Sequence, residues 1–188
     1  KIAPIVSSRR AADIILKMWA RRYDRTADFV VIEGPKAGGH LGFSDEELAD
    51  IENIDYDEEI KDIIECTKEY GEKYNTHIPV IVAGGIFDHD DIIHALELGA
   101  DGVQIASRFV ATKECDASDE YKQAYLDAKE DDVKIIKSPV GMPGRAIRND
   151  FIKRVEKEKQ PVDKCYNCMK KCNPNEVPYC ITKALVDA

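Results

Sequence analysis

Apolar residues in this chain fall into two alternating kinds of run. Four runs are short, β-branched and nearly continuous, at 2–6, 28–33, 78–83 and 102–106, as in strands buried on both faces. Each precedes a stretch with helical spacing. Ser8 can cap a helix over 9–22 in which Ala11, Ile14, Ile15, Met18 and Trp19 share a face. A second helix, 56–74, carries Ile60, Ile63, Ile64 and Thr67, with Gly71 loosening its end. Asp88 can cap a third over 90–98, where Ile92, Ile93 and Leu96 form the stripe and Gly99 a left-handed stop. Phe109 and a helix over about 118–129 follow the fourth strand.

The order βαβαβαβα requires an α/β fold with a parallel sheet, because each right-handed crossover returns the next strand beside the last. Two closures are open: a doubly wound sheet, or half of a (β/α)8 TIM barrel, which typically takes ~250 residues and eight units. Residues 1–130 make up the four βα units. The extension 131–188 reads differently: a short strand or arm at Val133–Lys137, a turn-rich connection over 138–144, a basic helix over 145–159, and a Cys-, Pro- and Asn-rich segment over 164–188 ending helically from Ile181. The acid-rich stretch 44–59 reads as a solvated loop and helix entrance.

Composition narrows the classes. The 188 residues are 44% hydrophobic and 34% charged, enough apolar surface for a globular core. Twenty-seven Lys and Arg against 36 Asp and Glu give a net charge of −9, which disfavours nucleic acid as a partner. No apolar run approaches the ~20 residues of a membrane span, and Lys1-Ile2-Ala3-Pro4 lacks a signal-peptide core. Four of the six cysteines, Cys165, Cys168, Cys172 and Cys180, crowd into the last 24 positions, which suits a metal site or reduced thiols better than a disulfide framework. A cytoplasmic location is expected. The chain lacks an initiator Met and opens directly on a strand, so it is expected to be a fragment of a longer polypeptide.

In a parallel sheet, ligands meet the carboxyl ends of the strands. After 28–33 comes Gly34-Pro35-Lys36-Ala37-Gly38-Gly39-His40-Leu41-Gly42. Its glycines admit a flat ligand, and His40 can act as acid, base or hydrogen-bond donor. The alternative is a flexible turn with an incidental histidine. The later loops offer Gly84 and Gly85, then Gln104, Ala106 and Ser107. Backbone N–H groups at Gly84, Gly85, Ala106 and Ser107 suit a phosphate. Neither a nucleoside-triphosphate P-loop nor a dinucleotide fingerprint occurs. Lys36 and Ser107 are secondary polar candidates, Lys36 equally a solvated charge.

Ala37-Gly38-Gly39-His40-Leu41-Gly42, the segment Ile78-Pro-Val-Ile-Val-Ala-Gly-Gly-Ile86, Leu98-Gly-Ala-Asp-Gly-Val-Gln104 and Ser107-Arg-Phe-Val-Ala-Thr-Lys-Glu114 occur in order. Together they resemble the nitronate monooxygenases, formerly 2-nitropropane dioxygenases, over about 2–149. The same motifs resemble a close relative, the flavin-dependent enoyl-acyl carrier protein reductase II, and Pro143-Gly-Arg-Ala-Ile-Arg148 occurs in or near both groups. The resemblance implies an FMN-binding TIM barrel of which this is the C-terminal half. It also implies a flavin phosphate on the last two strand loops, contacts from Gly38, Gly39 and Gln104, and His40 as the catalytic residue. Where the family often has Gly-Thr before Arg-Phe, this chain has Ala106 and Ser107, which keeps the backbone donors and a hydroxyl. Implied partners are a small-molecule nitronate or enoyl thioester, the N-terminal half of the barrel, and a second copy in a homo-oligomer. A non-catalytic phosphate-binding or assembly module is the alternative of a different class.

Cys165, Cys168, Cys172 and Cys180 could hold zinc or an iron–sulfur cluster, with reduced structural thiols as the alternative. Cys66 reads as a small buried hydrophobe. His77, His89 and His94 read as surface or packing residues, because His89 and His94 are five apart and miss a shared ligand face.

Overall fold

The computed structural model describes residues 1–170 and 172–187. In chain order its elements are β1 (Ile5–Val6), α1 (Arg9–Tyr23), β2 (Val30–Glu33), β3 (Gly39–His40), α2 (Asp45–Ala49), α3 (Tyr56–Lys73), β4 (Val80–Ala83) and α4 (His89–Glu97). Then come β5 (Gly102–Gln104), α5 (Ser107–Val110), α6 (Asp119–Asp127), β6 (Val133–Lys137), β7 (Pro143–Ile147), α7 (Asp150–Lys157) and α8 (Ile181–Asp187). They form two compact units, one of Lys1–Ala37 with Asp45–Arg108, the other of Gly38–Ser44 with the chain from Phe109 onward. The sequence reading set its boundary at 130. Residues 38–44 group with the second unit because β3, in the loop after β2, pairs with β7.

The first unit is a parallel four-stranded sheet in the order β1-β2-β4-β5. Ile5 pairs with Val31, Val30 with Val80, and Ile81 with Gly102, so all four strands end on one side of the sheet. Val30, Ile32, Val80 and Val82 are buried, as strands covered by crossover helices require. Against them pack Ile60, Ile63 and Ile64 of α3 together with Ala12 and Leu16 of α1. Cys66 is buried in the same core, as its isolation suggested.

Helix starts follow the expected caps. The Ser8 side chain accepts from the Ala11 N–H, and Asp88 and Asp91 form a reciprocal capping box at α4. Two apolar faces turn out differently from expectation. In α1 the fully covered side chains are Ala12, Leu16 and Ala20, whereas Ile14 and Met18 are exposed. Leu16, with an alanine four residues to either side, sets the buried line, and Ala11, Ile15 and Trp19 flank it. In α4, Ala95 takes the central position while Ile93 and Leu96 are exposed. Gly71 does more than loosen α3: a Cβ there would lie 2.6 Å from the Thr76 carbonyl oxygen.

The acid-rich stretch is more ordered than a loop, since α2 anchors itself through buried Leu48. The second unit contains a three-stranded antiparallel sheet in the order β3-β7-β6, with Lys137 opposite Pro143 and Gly141 at φ 83° in the turn. The helix expected over 145–159 is corrected here. Residues up to Ile147 pair with β6, and the Asn149 side chain accepts from the Ile152 N–H to start α7 only at Asp150. The terminal helix begins at Ile181 as expected, and within the segment 164–188 Lys171 and Ala188 lie outside the described residues. Among the described residues, no helix is long and apolar enough to cross a membrane.

Leu16→Ala is expected to cost about 2–5 kcal/mol, because Leu16 is wholly covered on the face that meets the sheet. Urea unfolding should show a lower midpoint at an unchanged slope.

Candidate active site

In the first unit, the pairing of Glu33 with Ala83 brings the loops after β2 and β4 side by side. The Gly34 N–H donates to the Ala83 carbonyl at 2.9 Å. Gly84 has φ 87°, and a Cβ on it would lie 2.9 Å from the Gly34 nitrogen and 3.0 Å from Ala37 Cβ. Gly85 has φ 98° and faces Lys36, whose Cβ would be 3.0 Å from an added Cβ. Both glycines are therefore required, by conformation and by close approach. Burial of Tyr56 raises its phenol above the ordinary range, and its hydroxyl donates to the Glu33 carbonyl at 3.0 Å.

After β5 the chain runs through Ala106 into the single-turn helix α5, which starts at Ser107. Gln104, Ala106 and Ser107 are exposed. Arg108, which the sequence reading did not single out, ties the two phosphate-candidate loops together. Its Nη1 donates to the Phe87 carbonyl at 3.2 Å and its guanidinium lies 4.9 Å from the Phe87 ring centre. The Phe87 and Asp88 N–H groups donate to Asp91, which holds that carboxyl below its usual range, with Lys36 adding a smaller attraction. The charge of Lys36 thus acts on Asp91 of α4. A cleft of about 350 Å³ opens beside these loops, lined by Lys36, Tyr56, Asp57, Gly84, Asp91 and His94 among others.

In the second unit, His40 sits on β3 opposite Gly144 of β7. Gly38, Gly39 and His40 are exposed, whereas Leu41 is buried. The Leu41 N–H donates to the Pro143 carbonyl at 2.9 Å. The imidazole is thereby presented from a paired strand instead of a free loop. Its Nε2 lies 2.7 Å from the hydroxyl of Ser138, a buried residue that the sequence reading left in a turn. The signal was available in the Ser138-Pro-Val-Gly-Met-Pro stretch, but nothing in the spacing linked it to a residue 98 positions away.

The metal expectation is corrected. Among the described residues no group of three or more His, Cys, Asp and Glu side chains is placed to hold a metal ion. Cys165, Cys168, Cys172 and Cys180 are free thiols lining one small cavity with Val162, Met169 and Val177. Cys165 is engaged locally, since Asn167, at φ 51°, donates its N–H to Cys165 Sγ at 3.4 Å. Burial, and then the neighbouring thiols, push the Cys172 thiol up. His77, His89 and His94 pair with Asp101, Asp90 and Asp57 at the surface, as the sequence indicated.

Residues 2–188 match the family model described as Nitronate monooxygenase. The chain belongs to the nitronate monooxygenase family. Members similar to it include a probable nitronate monooxygenase of Staphylococcus saprophyticus, 32% identical over 128 residues, covering 68% of this chain and 34% of that protein. A probable nitronate monooxygenase of Staphylococcus aureus is 30% identical over 161 residues, covering 80% and 42%. Among solved structures, FabK from Thermotoga maritima aligns with TM-score 0.59 and 29% identity over 84% of this chain and 42% of that one. The enoyl reductase domain of MlnA from Bacillus amyloliquefaciens, at 17% identity and TM-score 0.54 over 88% of this chain and 43% of that one, shares the fold. This nitronate monooxygenase family chain therefore spans less than half the length of the relatives it matches.

Gly84→Ala is expected to destabilise by about 1–3 kcal/mol through its positive φ alone. Gly38→Ala, with nothing within 4 Å of an added Cβ, should stay within about 0.5 kcal/mol. Paired urea titrations check the contrast. In the tail, Cys172 should alkylate more slowly than exposed Cys168 near neutral pH and gain rate as pH rises through the upper thiol range. Time-resolved peptide mapping with iodoacetamide reads both rates.

Proposed function

We propose that this chain is the C-terminal half of an FMN-dependent (β/α)8 barrel that oxidises alkyl nitronates with dioxygen. The observation that carries the reading is the pair of close glycine loops at the carboxyl ends of β4 and β2, with Gly84 and Gly85 held at positive φ. Such loops leave backbone N–H groups uncovered by any Cβ, which fits a phosphate. Gly84, Gly85, Ala106 and Ser107 would hold the flavin phosphate, while Gly38, Gly39 and Gln104 would contact the cofactor. Family membership, a four-strand parallel sheet and an alignment that covers 42% of the FabK chain support the half-barrel.

FMN, when bound, supplies the two-electron chemistry between substrate and dioxygen. The protein's part is orientation and charge. His40 stabilises the anionic nitro group of a nitronate, or removes the α-proton of a neutral nitroalkane. Its strand setting between buried Leu41 and the β7 pairing limits ring movement, which suits either role. A second reading, a flavin-dependent enoyl-acyl carrier protein reductase, is favoured by the 29% identity to FabK.

The test is the visible absorption spectrum of the purified chain, and of any longer polypeptide containing it, before and after FMN is added. Flavin bands are expected where the pocket is complete. Failure of every form to take up FMN overturns the proposal. In the flavin-bearing form, His40→Asn should keep the flavin and lower nitronate turnover by about 10²-fold or more. Unchanged turnover removes His40 from the chemistry, and reduction of the flavin by NADH but not by a nitronate selects the reductase.

A further inference from the structure

The exposed face of α1 carries charge of one sign. Arg10, Ile14, Lys17 and Arg21 follow one another at intervals of four, three and four residues, with Met18 and Arg22 beside them, so the six form one stripe along the helix. All six are exposed, Ile14 at 47% and Met18 at 44%. The stripe lies opposite the line of Ala12, Leu16 and Ala20 that is buried. No exposed residue of α1 is acidic, in a chain whose net charge is −9.

Local structure accounts for part of this pattern. Arg21 and Arg22 stand in the last turn, where cations offset the negative end of the helix dipole. Arg9 in the first turn is held by Glu65 and Glu69 of α3 at 3.5 and 2.9 Å. Arg10 and Lys17 have no such account. Arg10 lies in a first turn without an acidic residue, where a cation opposes the dipole. Lys17 is four residues from Arg21, a like-charge spacing that weakens a helix. Among the described residues, the side chains of Arg10, Lys17, Arg21 and Arg22 make no ion pair or hydrogen bond. Uncompensated cations around two exposed apolar side chains have the make-up of an interface, an apolar centre with a charged rim, and their sign calls for an acidic counterpart.

That counterpart is present on the same unit. In α2 and just after it, Asp45, Glu46 and Glu52 are exposed and, among the described residues, without an ion pair, and Ala49 is exposed between them. We propose that the α1 stripe docks on the α2 segment of a second copy of this chain. Each copy offers one surface and receives the other, as in a self-complementary two-fold dimer. An anionic membrane fits the stripe less well, because its two apolar side chains include no aromatic ring to enter a bilayer interface. The inference is independent of the flavin reading, since it uses no residue of the candidate phosphate loops and none near His40.

The experiment is sedimentation velocity of the full chain over a concentration series, in reducing buffer so that the exposed thiols of Cys165 and Cys168 form no cross-links. A reversible monomer–dimer equilibrium is expected. Arg10→Glu combined with Lys17→Glu should abolish the dimer, and so should Glu46→Lys combined with Glu52→Lys, because each pair sets like charges across the contact. An equimolar mixture of the two variants should recover a dimer, since both contacts of a mixed pair again join opposite charges. Arg10→Glu places an acid where the helix dipole favours one, so loss of the dimer is not loss of the helix, and far-ultraviolet circular dichroism of each variant is the folding control. A monomer at every concentration overturns the proposal, as does a dimer that survives either pair of substitutions or a mixture that fails to associate. Cosedimentation of a monomeric native chain with vesicles of phosphatidylserine and phosphatidylcholine, lost in the Arg10→Glu and Lys17→Glu variant, overturns it in favour of a lipid surface.

Discussion

The pairing of β2 with β4 is the constraint from which the rest of the first unit follows. Val30, Ile32, Val80 and Val82 share one buried face of the sheet, so a slip of register by one residue would move a whole set of β-branched side chains. The register from Val30 opposite Val80 to Glu33 opposite Ala83 carries the two strand ends out together, and the loops beyond them meet. That meeting is why Gly34, Gly84 and Gly85 crowd one another: the backbone of one loop occupies the space a side chain of the other would fill. Core packing and the shape of the candidate phosphate loops are thus one geometric fact.

Much of this first unit was legible from sequence. Short continuous runs rich in β-branched residues and bounded by glycine or proline read as buried strands, and serine and aspartate caps announce helix starts before any packing is known. The glycine loops were legible because positive φ and close approach leave few alternatives to glycine. Less legible was which apolar residues of a helix turn inward. In α1, Leu16 and two alanines are covered while Ile14 and Met18 stay exposed, so the buried line is rotated from the one the largest apolar residues would mark. Periodicity gives a stripe within about one residue's rotation, and packing distance chooses the line.

The second unit was less readable for a physical reason. Residues 143–147 form a strand because they pair with β6 and with two residues of a loop more than 100 positions earlier, and such pairing is non-local information. Charge composition alone favoured a helix through Arg145, and only the Asn149 cap marks where the helix can begin. The Cys spacing in turn permitted a metal site. Four thiols around one small cavity are consistent with that spacing, but a shared cavity wall is a looser condition than convergence of donors on a point.

Both units present chemistry by fixing backbone first. At Gly84 and Gly85 the fixed element is the backbone itself, held at positive φ. At His40 it is a two-residue strand held by β7, and the side chain then meets the Ser138 hydroxyl. The distinction matters for what each site tolerates. A glycine loop fails when a Cβ intrudes, whereas a side chain on a paired strand depends on the pairing that holds the strand. Tyr179 is buried and packed against Phe151, so its ring already has a structural reason to be there. Ser138 is the residue that touches the imidazole.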